Sequence, residues 1–198
     1  DVPGWFAATP GVFRKVGSVL LDKKRVAAKI DRVVVLEDAF DQAEEPVADL
    51  LRTLLEFMSD DLPGMAHGRI APEGFDPWRE AFRIVQAYET WQTFGGFVTK
   101  HKPNIGPGVK ERMQFASTVT KAQADASREV VLKAREHIRQ IVVPGTVLAL
   151  PTAPSIAPKI DLSGPELEEF RTRVMRLTCT SGISGLPQMS IPAATING

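Results

Sequence analysis

Apolar positions along the chain recur at two spacings, three-to-four and continuous, and the two alternate. PGVFRKVGSVLL, Pro10 to Leu21, sets Val12, Val16, Val19 and Leu20 at helical intervals behind Thr9 and Pro10, which predicts a short helix. RVVVL, Arg32 to Leu36, is β-branched and uninterrupted, the signature of a strand covered on both faces, and the acidic turn LEDAFDQAEEP follows it. PVADLLRTLLEFM, Pro46 to Met58, returns to helical spacing with Pro46 at its first position. Between Met65 and Pro77 only one short extended piece is expected inside a loop.

Two long helices are predicted in the middle. The first runs from Trp78 to about Thr99 with Asp76 as its cap, Ala81, Ile84, Tyr88 and Trp91 on one face, and Gly95 and Gly96 weakening or bending its end. HKPNIGPG, His101 to Gly108, is a turn-rich connector. From Val109 to about Ile141 one apolar stripe continues, and a single helix of that length would span roughly 50 Å at ~1.5 Å per residue. TVLAL, Thr146 to Leu150, is a buried strand that Pro151 and Pro154 turn into an irregular loop. Ser163 followed by Glu166 has capping-box spacing, so a helix should open there, place Glu168 near Arg171 and Glu169 near Arg173, and stop at Gly182 and Gly185. Met189 to Ile191 is the last predicted strand. The alternation argues an α/β fold, a mixed sheet flanked by helices.

Charge changes this picture by exclusion. Lys plus Arg number 24 and Asp plus Glu number 24, so no net field favours nucleic acid or an anionic membrane as partner. No apolar run approaches the roughly 20 residues of a membrane helix. One cysteine, Cys179, cannot form an internal disulfide, and the cytoplasm is the expected compartment. A homodimer is admitted as the assembly. The chain opens on Asp1 without Met and stops at Gly198 just after a strand-like run, so a fragment is expected.

Candidate chemistry is sparse. Gly182-Ile183-Ser184-Gly185-Leu186 approaches the G-x-S-x-G elbow but fails at its last position, and its helix-turn-strand order is the reverse of an elbow. Its small residues are better read as close packing. His67, His101 and His137 are too scattered for metal ligation, so no metal is expected. Cys179 reads as a small buried hydrophobe. Gly106-Pro107-Gly108 reads as a helix-entry turn because Pro107 removes a donor that an anion would need. Trp78, Phe82, Tyr88, Trp91 and Phe94 read as core packing.

Three blocks together resemble the amidase signature family. DVPGWFA, Asp1 to Ala7, is similar to the segment that closes that family's core, with Val2-Pro3 in place of Thr-Val and Ala8 where Arg is common. VLALPTAPSIAPKI, Val147 to Ile160, resembles its strand-then-loop PT-x-P-x-x-AP element, and TCTSGISGLPQMSIP, Thr178 to Pro192, its later helix-turn-strand element. Between them, FRIVQAYETWQTFGGFV and KPNIGPGVKERMQFA resemble the subgroup of plant indole-3-acetamide amidases and the amidase-like domains of organelle import docking proteins. The resemblance implies that residues 1–198 form the C-terminal portion of a single amidase domain. It also implies hydrolysis of a small-molecule amide to acid and ammonia, without cofactor, by a Ser nucleophile, a bridging Ser on a cis peptide and a Lys base. In the family all three lie upstream of the DVPGWFA-like block, so no catalytic residue is assigned in this chain and the chain alone is expected to be inactive. Thr152, Cys179, Ile183 and Trp91 are the residues it places near the substrate. The alternative function is a catalytically silent docking or binding module.

Overall fold

The computed structural model describes residues 4–21 and 29–196. Asp1 to Pro3 of the DVPGWFA block lie outside the described residues. The elements in chain order are α1 (Pro10–Leu20), β1 (Arg32–Leu36), α2 (Glu37–Phe40), α3 (Glu45–Phe57), β2 (Met65–Gly68), α4 (Asp76–His101), α5 (Val109–Thr118), α6 (Lys121–Ile141), β3 (Thr146–Ala149) and α7 (Gly164–Ser184).

The β-branched run forms β1, and β1 is the central strand: the order is β2-β1-β3, with both neighbours parallel to it. Register sets Val34 opposite Ala66 on one side and Leu148 on the other. Because strand side chains alternate between faces, Val34 and Leu36 enter the larger core while Val35 enters a second one. The larger core joins the sheet to α4, α6 and α7 through Trp78, Ala81, Val131, Ala134, Ile138, Leu177 and Ile183. The smaller core packs Val35 and Phe40 against Ala48, Leu51 and Leu55 of α3. The molecule is therefore an α/β protein in which helices cover both faces of a small parallel sheet, the arrangement that a continuous apolar central strand requires.

Helix starts follow local chemistry. The Thr9 hydroxyl accepts the Val12 N–H at 3.3 Å ahead of Pro10, and the Ser163 hydroxyl accepts from Glu166 N at 3.5 Å while Ser163 N donates to Glu166 Oε2 at 3.0 Å. Gly185, at φ 65°, ends α7 in the left-handed conformation that glycine adopts without Cβ strain. No helix among the described residues is long and apolar enough to cross a membrane.

Several expectations are corrected. The single helix from Val109 to Ile141 is two, broken at Val119 (φ −74°, ψ 120°), where Thr120 caps α6. Thr120 N donates to Gln123 Oε1 at 2.9 Å and Gln123 N to Thr120 Oγ1 at 3.3 Å, a capping box that wins over the continuing apolar stripe. The 21-residue α6 is thus only about 31 Å long. Asp76 is not the cap of α4 but its first residue; its carboxylate holds Arg79 and Arg176, and Phe75 occupies the cap position without a side-chain bond. α4 runs past Gly95 and Gly96 to His101, two residues beyond the expected end, with Gly95 buried against the Trp91 indole. Arg173 turns from Glu169 to the Gln42 carbonyl, donating through Nε at 2.9 Å and Nη2 at 2.7 Å, while Arg171 does pair with Glu168. Met189 to Ile191 is not a strand: it pairs with none of the three described strands, and the side chains of Met189 and Ile191 are exposed. Phe94 is about half exposed rather than core.

Candidate functional site at the C-terminal edge of the sheet

The three described strands run the same way, so the chain after Leu36, Gly68 and Ala149 emerges along one edge. In open parallel sheets this carboxyl edge is where loops are free to build a site while the strands hold them rigid. The buried Asp38 organises it. One carboxylate oxygen accepts from Ile70 N at 2.8 Å and Ala71 N at 2.7 Å, and the other from Ala39 N at 3.1 Å. A buried carboxylate shared by three backbone donors ties the loop after β2 to the turn after β1. The loop after β3 is tied to the segment between α2 and α3, since Glu44 N donates to Pro154 O at 2.7 Å. Sequence reasoning missed Asp38. Its one signal was an acidic residue directly behind a wholly apolar strand, where a solvated turn carboxylate reads the same.

Outside this clamp the edge is charged. Glu37 accepts from Arg52 at 2.6 Å and lies 2.6 Å from His67 Nδ1, and the bond to His67, then that to Arg52, hold its carboxyl below the usual range. Arg69 reaches Asp41 at 2.7 Å. Among the described residues no three His, Cys, Asp or Glu side chains group as a metal site would need.

The four residues singled out from the sequence divide into three settings. Thr152 lies exposed in the loop after β3, where its Oγ1 accepts from Ser190 Oγ at 3.3 Å. That contact joins the two segments that carry the strongest resemblance. Cys179 and Ile183, one turn apart on α7, are both fully buried in the larger core. Burial pushes the Cys179 thiol up to about 12, so it stays protonated and donates weakly to Arg176 O at 3.5 Å. Trp91 is elsewhere, on the wall of a hollow of about 330 Å³ between the end of α4 and α5.

The serines at the end of α7 bond to their own helix. Ser181 Oγ donates to Thr178 O at 3.4 Å, and Ser184 Oγ to Ser181 O at 3.2 Å. Gly182 serves close approach: a Cβ there would stand 2.7 Å from the Phe82 ring of α4. Arg135 Nε and Arg139 Nε donate to Ile183 O and Ser184 O at 2.7 and 3.0 Å, satisfying the last carbonyls of α7 from α6. Next to Cys179, the Thr180 hydroxyl is buried without a partner among the described residues, a polar group that sequence patterning did not mark. This end of α7 is built as scaffold.

No family model matches the chain. The chain is an α/β protein similar in sequence to proteins named as amidases and to a chloroplast outer envelope protein. Amidase 1 of Arabidopsis thaliana is 23% identical over 97% of this chain and 52% of its own length. Amidase 1 of Oryza sativa subsp. japonica is 23% identical over 100% of the chain and 52% of its own length. Outer envelope protein 64, chloroplastic, of Arabidopsis thaliana is 23% identical over 97% of the chain and 37% of its own length. The resemblance read from the sequence motifs is borne out by these names, and the chain spans about half the length of the two amidases it matches.

Proposed function

We propose that this chain is the supporting part of an amidase that hydrolyses a carbon–nitrogen bond of a small amide to carboxylic acid and ammonia. Two relatives named Amidase 1, matched across nearly the whole chain, carry this reading. The serine nucleophile, bridging serine and lysine base are assigned to chain outside these 198 residues. A lysine is a base only when a pocket of low polarity and a hydrogen-bonded serine bring its pKa down from about 10.4. Backbone N–H groups of that same outside segment would hold the developing oxyanion.

Within this chain Thr152 is assigned to the acyl side of the substrate, a reading supported by its exposure in the loop after β3. Cys179 and Ile183 support that side from beneath as packing, and Trp91 is a more peripheral contact. The test is ammonia release from aryl-alkyl amides by the protein of full reading frame and by the 198-residue chain alone. Turnover by the longer protein only is the expected result; turnover by the shorter chain overturns the division of labour.

A second reading, a catalytically silent docking module, is favoured by the relative named for the chloroplast outer envelope rather than for an enzyme. In that case the longer protein releases no ammonia and its upstream serine or lysine is replaced.

A further inference from the structure

The hollow beside Trp91 is separate in its chemistry from the carboxyl edge of the sheet, and neither Thr152, Cys179 nor Ile183 lines it. Its apolar wall comes from Trp91 and Val98 of α4, Ile105 of the connector and Met113 of α5. Its charged groups are Lys102 and Lys110, and no carboxylate lines it. Neither ammonium has an ion-pair partner among the described residues, whereas the acidic neighbour Glu111 is occupied by the Gly108 N–H. On a chain whose net charge is zero, two cations without an ion-pair partner among the described residues, both lining one hollow of about 330 Å³, form a local feature that average composition does not produce.

Two backbone details show that the hollow is built. Lys102 has φ 43° and ψ 52°, and among the described residues it is the non-glycine residue with positive φ. Glycine would hold this helix end with less strain, so Lys102 joins the lining of the hollow at a cost in backbone strain. The indole of Trp91 lies against Gly95, one turn along α4, where a Cβ would meet indole carbons at 2.8 Å. A glycine inside a 26-residue helix is unfavourable by propensity, and here it is the space in which the ring lies.

From these features we infer that the hollow binds a small organic anion with a flat apolar body, an aromatic carboxylate. The ring packs on the indole, Val98 and Met113, and the carboxylate faces Lys102 and Lys110. An indole face with aliphatic neighbours recognises the flat body, and paired ammonium groups select the anion over its neutral counterpart. The inference does not rest on the amidase reading, because its readout is binding and not turnover.

The probes are 2-naphthoate and the neutral 2-naphthalenemethanol, titrated into the purified protein of full reading frame by calorimetry while the indole N–H resonances of Trp5, Trp78 and Trp91, assigned by single Trp→Phe variants, are followed by NMR. Naphthoate should bind at least about 5-fold tighter than the alcohol, with the difference shrinking as salt is raised, as expected for exposed charges. The Trp91 resonance should move, and those of Trp5 and Trp78 should not. Lys102→Gly should abolish most of the preference for the anion with an unchanged or raised Tm, because it removes the ammonium and relieves the backbone together. Gly95→Ala should weaken both probes by displacing the indole, and should it fail to fold, Lys102→Gly decides alone. Equal affinity for the two probes, no binding at about 10 mM, a shift confined to Trp78, or an unchanged preference in Lys102→Gly would each overturn the proposal.

Discussion

At the scale of single residues, burial decides chemistry that residue type leaves open. Cys179 could be a nucleophile by type, yet its thiol is raised from the ordinary 9.0 to about 12 by burial in the larger core. At pH 8 the folded protein should be alkylated by iodoacetamide much more slowly than the unfolded chain, since the thiol is both protonated and enclosed, which a timed thiol assay measures. The same shift has a stability consequence with a definite sign. Between about pH 9 and pH 12 the unfolded state holds fewer protons on this group than the folded state, so stability is full below that window and falls as pH rises through it. Cys179→Ala should flatten that decline in urea melts. The burial of Cys179 was legible from its place at a helix end; the carboxylate clamp of Asp38 was not, because its donors, Ile70 and Ala71, lie over thirty positions away.

At the scale of elements, the segments with strong local signals formed where their patterns placed them. RVVVL is β1, the Ser163 and Glu166 pair opens α7, and Thr9 with Pro10 opens α1. The errors fell where two local signals competed. The apolar stripe from Val109 onward favours one helix, and the Thr120–Gln123 box favours a new start; the box prevails and lets α5 and α6 both pack on α4. Thr120→Ala should therefore cost about 1 kcal/mol, read from a shift in the denaturation midpoint at constant slope. Met189 to Ile191 failed for a different reason: an alternating apolar triplet becomes a strand only when another backbone offers it hydrogen bonds.

At the scale of the whole molecule, β1 is the element on which both layers depend. Val34 faces the core shared with α4, α6 and α7, while Val35 faces α3. Val34→Ala removes buried methyl groups at the centre of the larger core and should destabilise by about 2–3 kcal/mol in an equilibrium melt. An exchange of Val147 on β3, which is 39% exposed, should cost clearly less. Tertiary ties then set the helices relative to the sheet. Arg173 anchors α7 to the turn before α3, Arg176 joins α7 to Asp76 of α4 at 2.8 Å, and Arg135 and Arg139 hold its end from α6.

The amino-acid sequence by itself determined the α/β alternation, the central buried strand, most helix starts and the resemblance to amidases, because spacing, capping and short motifs act over a few residues. Only the tertiary structure decided the all-parallel pairing of the described strands and the burial of Ile183. It alone also set Thr152 beside Ser190 and opened the lysine-rimmed hollow at Trp91. Each of these depends on groups brought together across tens of residues, and such proximity follows from how layers pack, which no local pattern encodes.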